Sequence, residues 1–351
     1  MPISVKTIST AIVGASGYTG RELLRLLLVH PQVRLVAATS RQEKDRALAD
    51  VFPRLRGLPS ADLEFIEPDA KAIAARGAEV AFLALPHGVA AGVARELLAE
   101  GLRVIDLSAD FRLRDPAVYE DFYGHPHPAP EWLGEAVYGL PEHRPEAIAD
   151  ARLIASPGCY PTSILLPLLP LVRAGLLEPG SIVANSMSGV SGAGRKADLP
   201  FLFCECNESA RAYGLPRHRH LSEIEQELSL AHGGTLKITF IPHLIPVTAG
   251  IATTTTAALA NGRRPEEIGE ALEAAYAASP FVRLLGENAG ADTKHVTGTN
   301  FIDIGWAHDA RTGRIILTSA EDNLGKGAGG QAVQSMNLAF GLPETTGLLA
   351  I

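Results

Sequence analysis

The sequence predicts an α/β protein in two domains, a parallel sheet with helices on both faces followed by an α+β domain around a mixed or antiparallel sheet. Three observations predict it. Between Ser9 and Leu113, short β-branched runs alternate with longer amphipathic ones, and repeated strand-then-helix order means a parallel sheet. Beyond Cys159 the pattern turns to period two, in Leu236, Ile238 and Phe240, in Ile302, Ile304 and Trp306, and in "RIILTSA", which suits a sheet with one covered face. The length, 351 residues, suits about two domains, and 46% hydrophobic with 20% charged residues suits a globular chain.

In chain order, "TAIVG" leads into the helical "GRELLRLLLVH", and "VRLVAATS" is the second strand. "AEVAFLAL", "GVAAGVARELLAEG" and "RVIDLS" continue the alternation, and the Pro- and His-rich "HPHPAPEW", His125 to Trp132, reads as a surface loop. "ARLIAS" is a strand and "SILLPLLPLV" a helix, with "SPGCYPT" as the turn between them. Pro157 and Gly158 supply that turn, and Pro161 suits a first helical turn, where its missing N–H is no loss. Pro167 and Pro170 predict that the helix kinks or begins late. "GKGAGGQAVQSMNLAFG" places Val333, Met336 and Phe340 on one face of a closing helix.

Composition excludes several classes. Net charge is −8 and no basic stripe interleaves with aromatics, which argues against a nucleic-acid surface. No run approaches the roughly 18 apolar residues of a membrane span. The N-terminus carries one lysine and runs directly into a strand, so no signal peptide is expected. Three cysteines, with Cys204 and Cys206 one residue apart, make a poor disulfide framework, so a reduced, cytoplasmic protein is expected. An anionic substrate would need local cations against this background.

Cys159 lies at a strand-to-helix turn, where helix N-terminal amides favour the thiolate; it reads as a nucleophile, or as an incidental packed cysteine. Gly14, Gly17 and Gly20 lie between a buried strand and an amphipathic helix, as a pyrophosphate-binding turn requires, although their spacing departs from G-x-G-x-x-G. The second strand ends in Ser40 and Arg41 without the usual acid, favouring NADP over NAD unless Arg41 is a solvated charge. "HRHLSE" brings His218, His220 and Glu223 together. On a helix beginning near Leu221 and capped by Ser222, Glu223 could orient one ring, giving an acid–base group, or the pair could be structural; metal ligation lacks further ligands at suitable spacing. The glycine–serine loop ending at Arg195 and Lys196 presents amides and cations to a phosphate, or is a flexible connection. Arg112 in "DLSADFRL" could grip a carboxylate or phosphate, unless Asp110 is its partner.

Taken together, "GASGYTG", "ALPHG", "DLSADFRL", "YGLPE", "PGCYPT", "SGVSGAGR", "HRH" with Glu223, and "DNLGKGAGGQAVQSMN" resemble, in order and over nearly the whole chain, the N-acetyl-gamma-glutamyl-phosphate reductase family. The resemblance implies a Rossmann-type NADP-binding domain, residues 1–158 and 319–351. It also implies a catalytic and oligomerisation domain, residues 159–318, of the glyceraldehyde-phosphate/aspartate-semialdehyde dehydrogenase type. It implies reduction of N-acetylglutamyl phosphate by NADPH through a thioester on Cys159, in arginine biosynthesis, by a homo-oligomer (dimer or tetramer) acting on a small-molecule acyl phosphate. NADP(H) contacts are then expected at Gly14, Ser16, Gly17, Tyr18, Thr19, Gly20, Ser40, Arg41, Leu85, Pro86, Ser188, Gly189, Asn323 and Lys326. Substrate contacts are expected at Arg112, Ser186, Arg195 and His218, with no metal; either His220, oriented by Glu223, or His218 moves the proton. One departure is Ala249, where the family pattern has an arginine. Reductases of carrier-bound glutamyl or aminoadipyl phosphate resemble "GCNAT" where this chain has Cys159–Thr162. An aspartate-semialdehyde dehydrogenase, a cysteine hydrolase and a non-catalytic NADP sensor are rival functions for the same residues.

Overall fold

The computed structural model describes residues 7–195 and 197–349. The chain divides into two compact units, one running to Pro157 and resuming at Ala328, the other spanning Gly158–Gly327.

The first unit holds a six-stranded parallel sheet of β1 (Ile8–Val13), β2 (Val33–Thr39), β3 (Val80–Leu83), β4 (Arg103–Asp106), β5 (Ala136–Tyr138) and β6 (Leu153–Ala155), in the order β2-β1-β3-β4-β6-β5. Every residue of β1 and β3 is buried, as expected of strands covered on both faces. Because β2 and β3 flank β1 on opposite sides, the strand order reverses at the C-terminal ends of β1 and β3, where such sheets bind ligands. The helix Tyr18–Leu27 follows β1 and buries Leu23, Leu24 and Leu27. The closing helix, Gly330–Ala339, returns to this unit with Val333 and Met336 fully buried. It is tied down by Asn337, whose Oδ1 lies 3.1 Å from His30 Nε2, and by Gln334, which donates to Glu142 and Glu344. Phe340 sits just past the helix end under the Arg103 guanidinium.

The second unit is built on a mixed seven-stranded sheet of β7 (Val183–Ser188), β8 (Arg211–Ala212), β9 (Thr239–Leu244), β10 (Ile251–Ala258), β11 (Val282–Glu287), β12 (Ile302–Asp309) and β13 (Arg314–Glu321), ordered β11-β12-β13-β10-β7-β9-β8. Along β10 buried and half-buried residues alternate, so one face is covered. The sequence-based boundary at 319 falls too early, since β13 stays paired with β10 and β12 as far as Glu321.

The helix over the covered face, Cys159–Arg173, begins at the cysteine and carries both internal prolines. A proline removes the N–H that would bond the carbonyl four residues back. For Pro167 that carbonyl is Ser163, and Ser319 Oγ donates to it at 2.7 Å; for Pro170 it is Leu166, which accepts from the Tyr276 hydroxyl. Two side-chain hydroxyls from distant elements thus replace the missing amides, and the helix does not begin late. Leu236 and Ile238 precede β9 rather than belonging to it. Both are buried, but their amides bond Ser229 Oγ and Glu225 Oε1 on the helix His220–His232.

The predicted surface loop His125–Trp132 is partly internal. His127 is buried, with Nε2 on the Asp110 carbonyl and Nδ1 accepting from Ala129 N–H at 3.0 Å.

Candidate active site

Cys159 is the first residue of its helix and half-buried, after an extended Gly158 at the N-cap. Thr162 N–H and Thr162 Oγ1 both donate to the Gly158 carbonyl, at 3.0 and 3.1 Å. The Gly158 N–H donates to Glu223 Oε1 at 2.9 Å, so a carboxylate from the first turn of one helix holds the N-cap of another. That helix begins at His220, one residue earlier than the sequence suggested, and Ser222 does not cap it: its hydroxyl donates to the Arg219 carbonyl instead.

His218 stands in an aromatic box. Its ring lies edge-on to Tyr160, Tyr213, Phe240 and His220, with centroids 4.9–5.6 Å away. Burial, with Arg219's charge adding to it, pushes its pKa down to about 4, so the ring is neutral at pH 7. The Tyr160 and Tyr213 hydroxyls are 2.8 Å apart. Burial pushes Tyr213 up to about 12 and holds Tyr160 above its usual value, so both keep their protons at neutral pH. Gly214, at φ +64°, turns this segment back, and a Cβ there would stand 3.0 Å from the His218 ring. The tyrosine pair was not foreseen from sequence; Tyr160 beside Cys159 was the available signal, whereas Tyr213 had none. Nor was Gly327, where a Cβ would meet Cys159 Cβ at 2.8 Å and the buried Glu321 carboxylate at 3.0 Å.

The remaining expected residues fall into distinct places. In the first unit, Gly14 (φ +85°) turns the chain after β1, where a Cβ would lie 2.5 Å from the Ala84 carbonyl and 3.0 Å from Leu85. Gly17 is the N-cap of the helix opened by Tyr18, Thr19 and Gly20, and Gly20 has no room for a Cβ against Ala15. Leu85 and Pro86 follow β3 beside this turn. Ser16 and Ser40 hydroxyls are bonded at 3.0 Å, joining the glycine turn to the end of β2, with Arg41 exposed next to it. A glycine-rich turn, opening a helix at the sheet's reversal point, fits a dinucleotide pyrophosphate.

Arg112 is buried. Its Nε and Nη2 donate to the carbonyls of Ser156 and Leu107, both at 2.8 Å, so it braces main chain. Asp110 is not its partner in these bonds; it accepts from Gly88 N, Ala91 N and Tyr119 OH.

In the second unit, Ser186 is fully buried, its hydroxyl in a chain through Thr253 to Ser163. Ser188 bonds the Gly189 carbonyl, and Gly189 packs on Ala249, where a Cβ would come within 2.9 Å of main chain. Asn323 accepts from Gly250 N–H at 2.8 Å and donates to Ser191 Oγ at 2.9 Å. Lys326, expected at the cofactor, is fully buried, with its ammonium 5.9 Å from the Phe281 ring centre. Arg195 is exposed and Lys196 lies outside the described residues. Among the described residues, no helix is long and apolar enough to cross a membrane.

Residues 9–151 match the family described as "Semialdehyde dehydrogenase, NAD binding domain", and residues 159–323 match "Semialdehyde dehydrogenase, dimerisation domain". A protein of Akkermansia muciniphila named N-acetyl-gamma-glutamyl-phosphate reductase is 65% identical over 344 residues, 98% of this chain and 99% of that protein. The chain belongs to the N-acetyl-gamma-glutamyl-phosphate reductase family. Proteins of the same name from Geobacter metallireducens (52% identical; 97% of this chain, 98% of that one) and Rhodospirillum rubrum (50%; 97% of each) agree. Among solved structures, aspartate semialdehyde dehydrogenase II of Vibrio cholerae, complexed with ASA, is similar at a TM-score of 0.70 and 18% identity. The match covers 95% of this chain and 98% of that one. The aspartate semialdehyde dehydrogenase with NADP from Candida albicans matches at 0.72 and 16%, over 95% and 98%. At these identities the likeness shows the fold, which this reductase family shares.

Proposed function

We propose that this chain reduces N-acetyl-L-glutamyl 5-phosphate to N-acetyl-L-glutamate 5-semialdehyde and phosphate, with NADPH, through a thioester on Cys159, in arginine biosynthesis in the cytoplasm. The observation that carries the reading is Cys159 at the start of a buried helix in the same unit as the His218–His220 pair, in a chain 65% identical to a protein of that name. The Cys159 thiolate attacks the acyl carbon, a C–S bond forms, the C–O bond breaks, and phosphate leaves with the electron pair. When bound, NADPH would supply hydride to the thioester carbonyl. The resulting thiohemiacetal collapses to the aldehyde and returns the thiolate.

His220 moves the proton in this reading. His218, neutral and protonated on Nε2, holds a substrate oxygen as a donor. Arg195, which is exposed, and Arg112 supply local cations for phosphate or carboxylate. Gly14, Gly17 and Gly20 cradle the pyrophosphate, and Ser40 with Arg41 takes the 2′-phosphate. The match of residues 159–323 to a dimerisation domain supports a homo-oligomer, dimer or tetramer, built on the second unit.

A panel of aldehydes tests the substrate. N-acetylglutamate semialdehyde is expected to exceed aspartate semialdehyde by at least a hundredfold in kcat/KM in the reverse direction; equal or inverted rates would refute the assignment.

A further inference from the structure

We propose that Glu223 sets the geometry of the nucleophile's turn by acting through Gly158, as a positioning residue. The inference rests on the thioester reading of Cys159.

Glu223 is 65 residues from Gly158 in sequence, and it is 1% exposed. Such burial is costly for a charge, and the Gly158 N–H supplies part of the compensation. Gly158 is held on both sides: Glu223 fixes its N–H, and Thr162 fixes its carbonyl through main chain and hydroxyl. The peptide planes before and after Gly158 are therefore set, and with them the direction of the Cys159 Cα–Cβ bond.

Two conservative variants separate the acceptor's reach from its charge. Glu223→Gln keeps an oxygen at the same reach; Glu223→Asp keeps the charge but falls one methylene short. Both would be checked by thermal unfolding, then compared in phosphate-dependent kcat and in the rate of Cys159 alkylation by iodoacetamide, followed on the Cys159 peptide by mass spectrometry. We expect Glu223→Gln to lose about threefold in each, because a neutral acceptor makes a weaker bond. Glu223→Asp is expected to lose about a hundredfold in kcat, as misplaced catalytic groups do, and to lose more alkylation rate than Gln. The opposite ranking, or equal losses, would overturn the proposal. Alkylation needs neither NADP nor acyl substrate. A wild type inactive on the N-acetyl substrate would therefore sink the functional reading and leave the alkylation ranking to decide this one.

Discussion

The Nδ1 atom of His218 accepts the backbone N–H of His220 at 3.2 Å, which places the single proton of the neutral His218 ring on Nε2. One ring is thereby assigned as a fixed donor, and proton transfer in the proposed reaction is left to His220.

The pH profile tests this division. His218 stays neutral down to about pH 4, so loss of activity between pH 8 and 5 does not belong to it. His218→Asn should lower kcat/KM about tenfold, the order of one hydrogen bond to substrate, without moving the acid limb. His220→Asn should lower kcat by a larger factor than His218→Asn at every pH measured. A limb abolished by His218→Asn would contradict the assignment.

Stability of the nucleophile's helix depends on the hydroxyls that replace the two proline amides. Ser319→Ala leaves the Ser163 carbonyl buried without its donor, and Tyr276→Phe does the same to Leu166. Each should cost about 1–3 kcal/mol in urea unfolding. Losses below about 0.5 kcal/mol in both would mean the helix satisfies those carbonyls another way.

Asp106 gives a pH-dependent stability of opposite sign to the usual carboxylate. Burial first, and the Asp110 charge next, push it up to about 7, against opposing hydrogen bonds from Ser108 and the charge of Arg112. Between about pH 4 and 7 the folded state holds a proton that the unfolded chain has released, so this contribution falls as pH rises and is constant above. Asp106→Asn should therefore gain stability relative to wild type on going from pH 5 to pH 8. A constant difference would show that Asp106 is ionised throughout.

Cofactor binding separates two glycines. Gly14→Ala puts a methyl 2.5 Å from the Ala84 carbonyl at a positive φ, and should cost about 1–3 kcal/mol in folding as well as NADPH affinity. Gly17, extended, has only the Gly14 carbonyl at 3.9 Å near its Cβ position. Gly17→Ala should keep the melting temperature and weaken NADPH binding, measured by fluorescence titration. Unchanged affinity would remove Gly17 from the site. By the same titration, Arg41→Ala should raise the Kd for NADPH about tenfold, the order expected of a charged hydrogen bond, with little effect on NADH.

Much of the fold was legible in the sequence where a local rule governs. Strand–helix alternation marked the first unit, and "SPGCYPT" marked the helix start, because turn and cap chemistry act within a few residues. The internal prolines misled, since the groups that compensate them, Ser319 and Tyr276, lie more than a hundred residues away. Arg112, Ser186 and Lys326 read as site residues by type; that all three are buried is decided only by tertiary packing. β5 and β8, at three and two residues, are too short to show a period. Glu223 was found by its spacing from the histidines, yet its hydrogen bond runs to a glycine in another element.

The central claim is covalent reduction through Cys159. Purified wild type and Cys159→Ser would be given N-acetylglutamate semialdehyde, NADP and phosphate, and NADPH formation followed. Phosphate-dependent turnover is predicted, falling at least a thousandfold in the serine variant while NADP binding is retained. Turnover that persists in Cys159→Ser, or folded wild type that binds NADP and gives none, would contradict it.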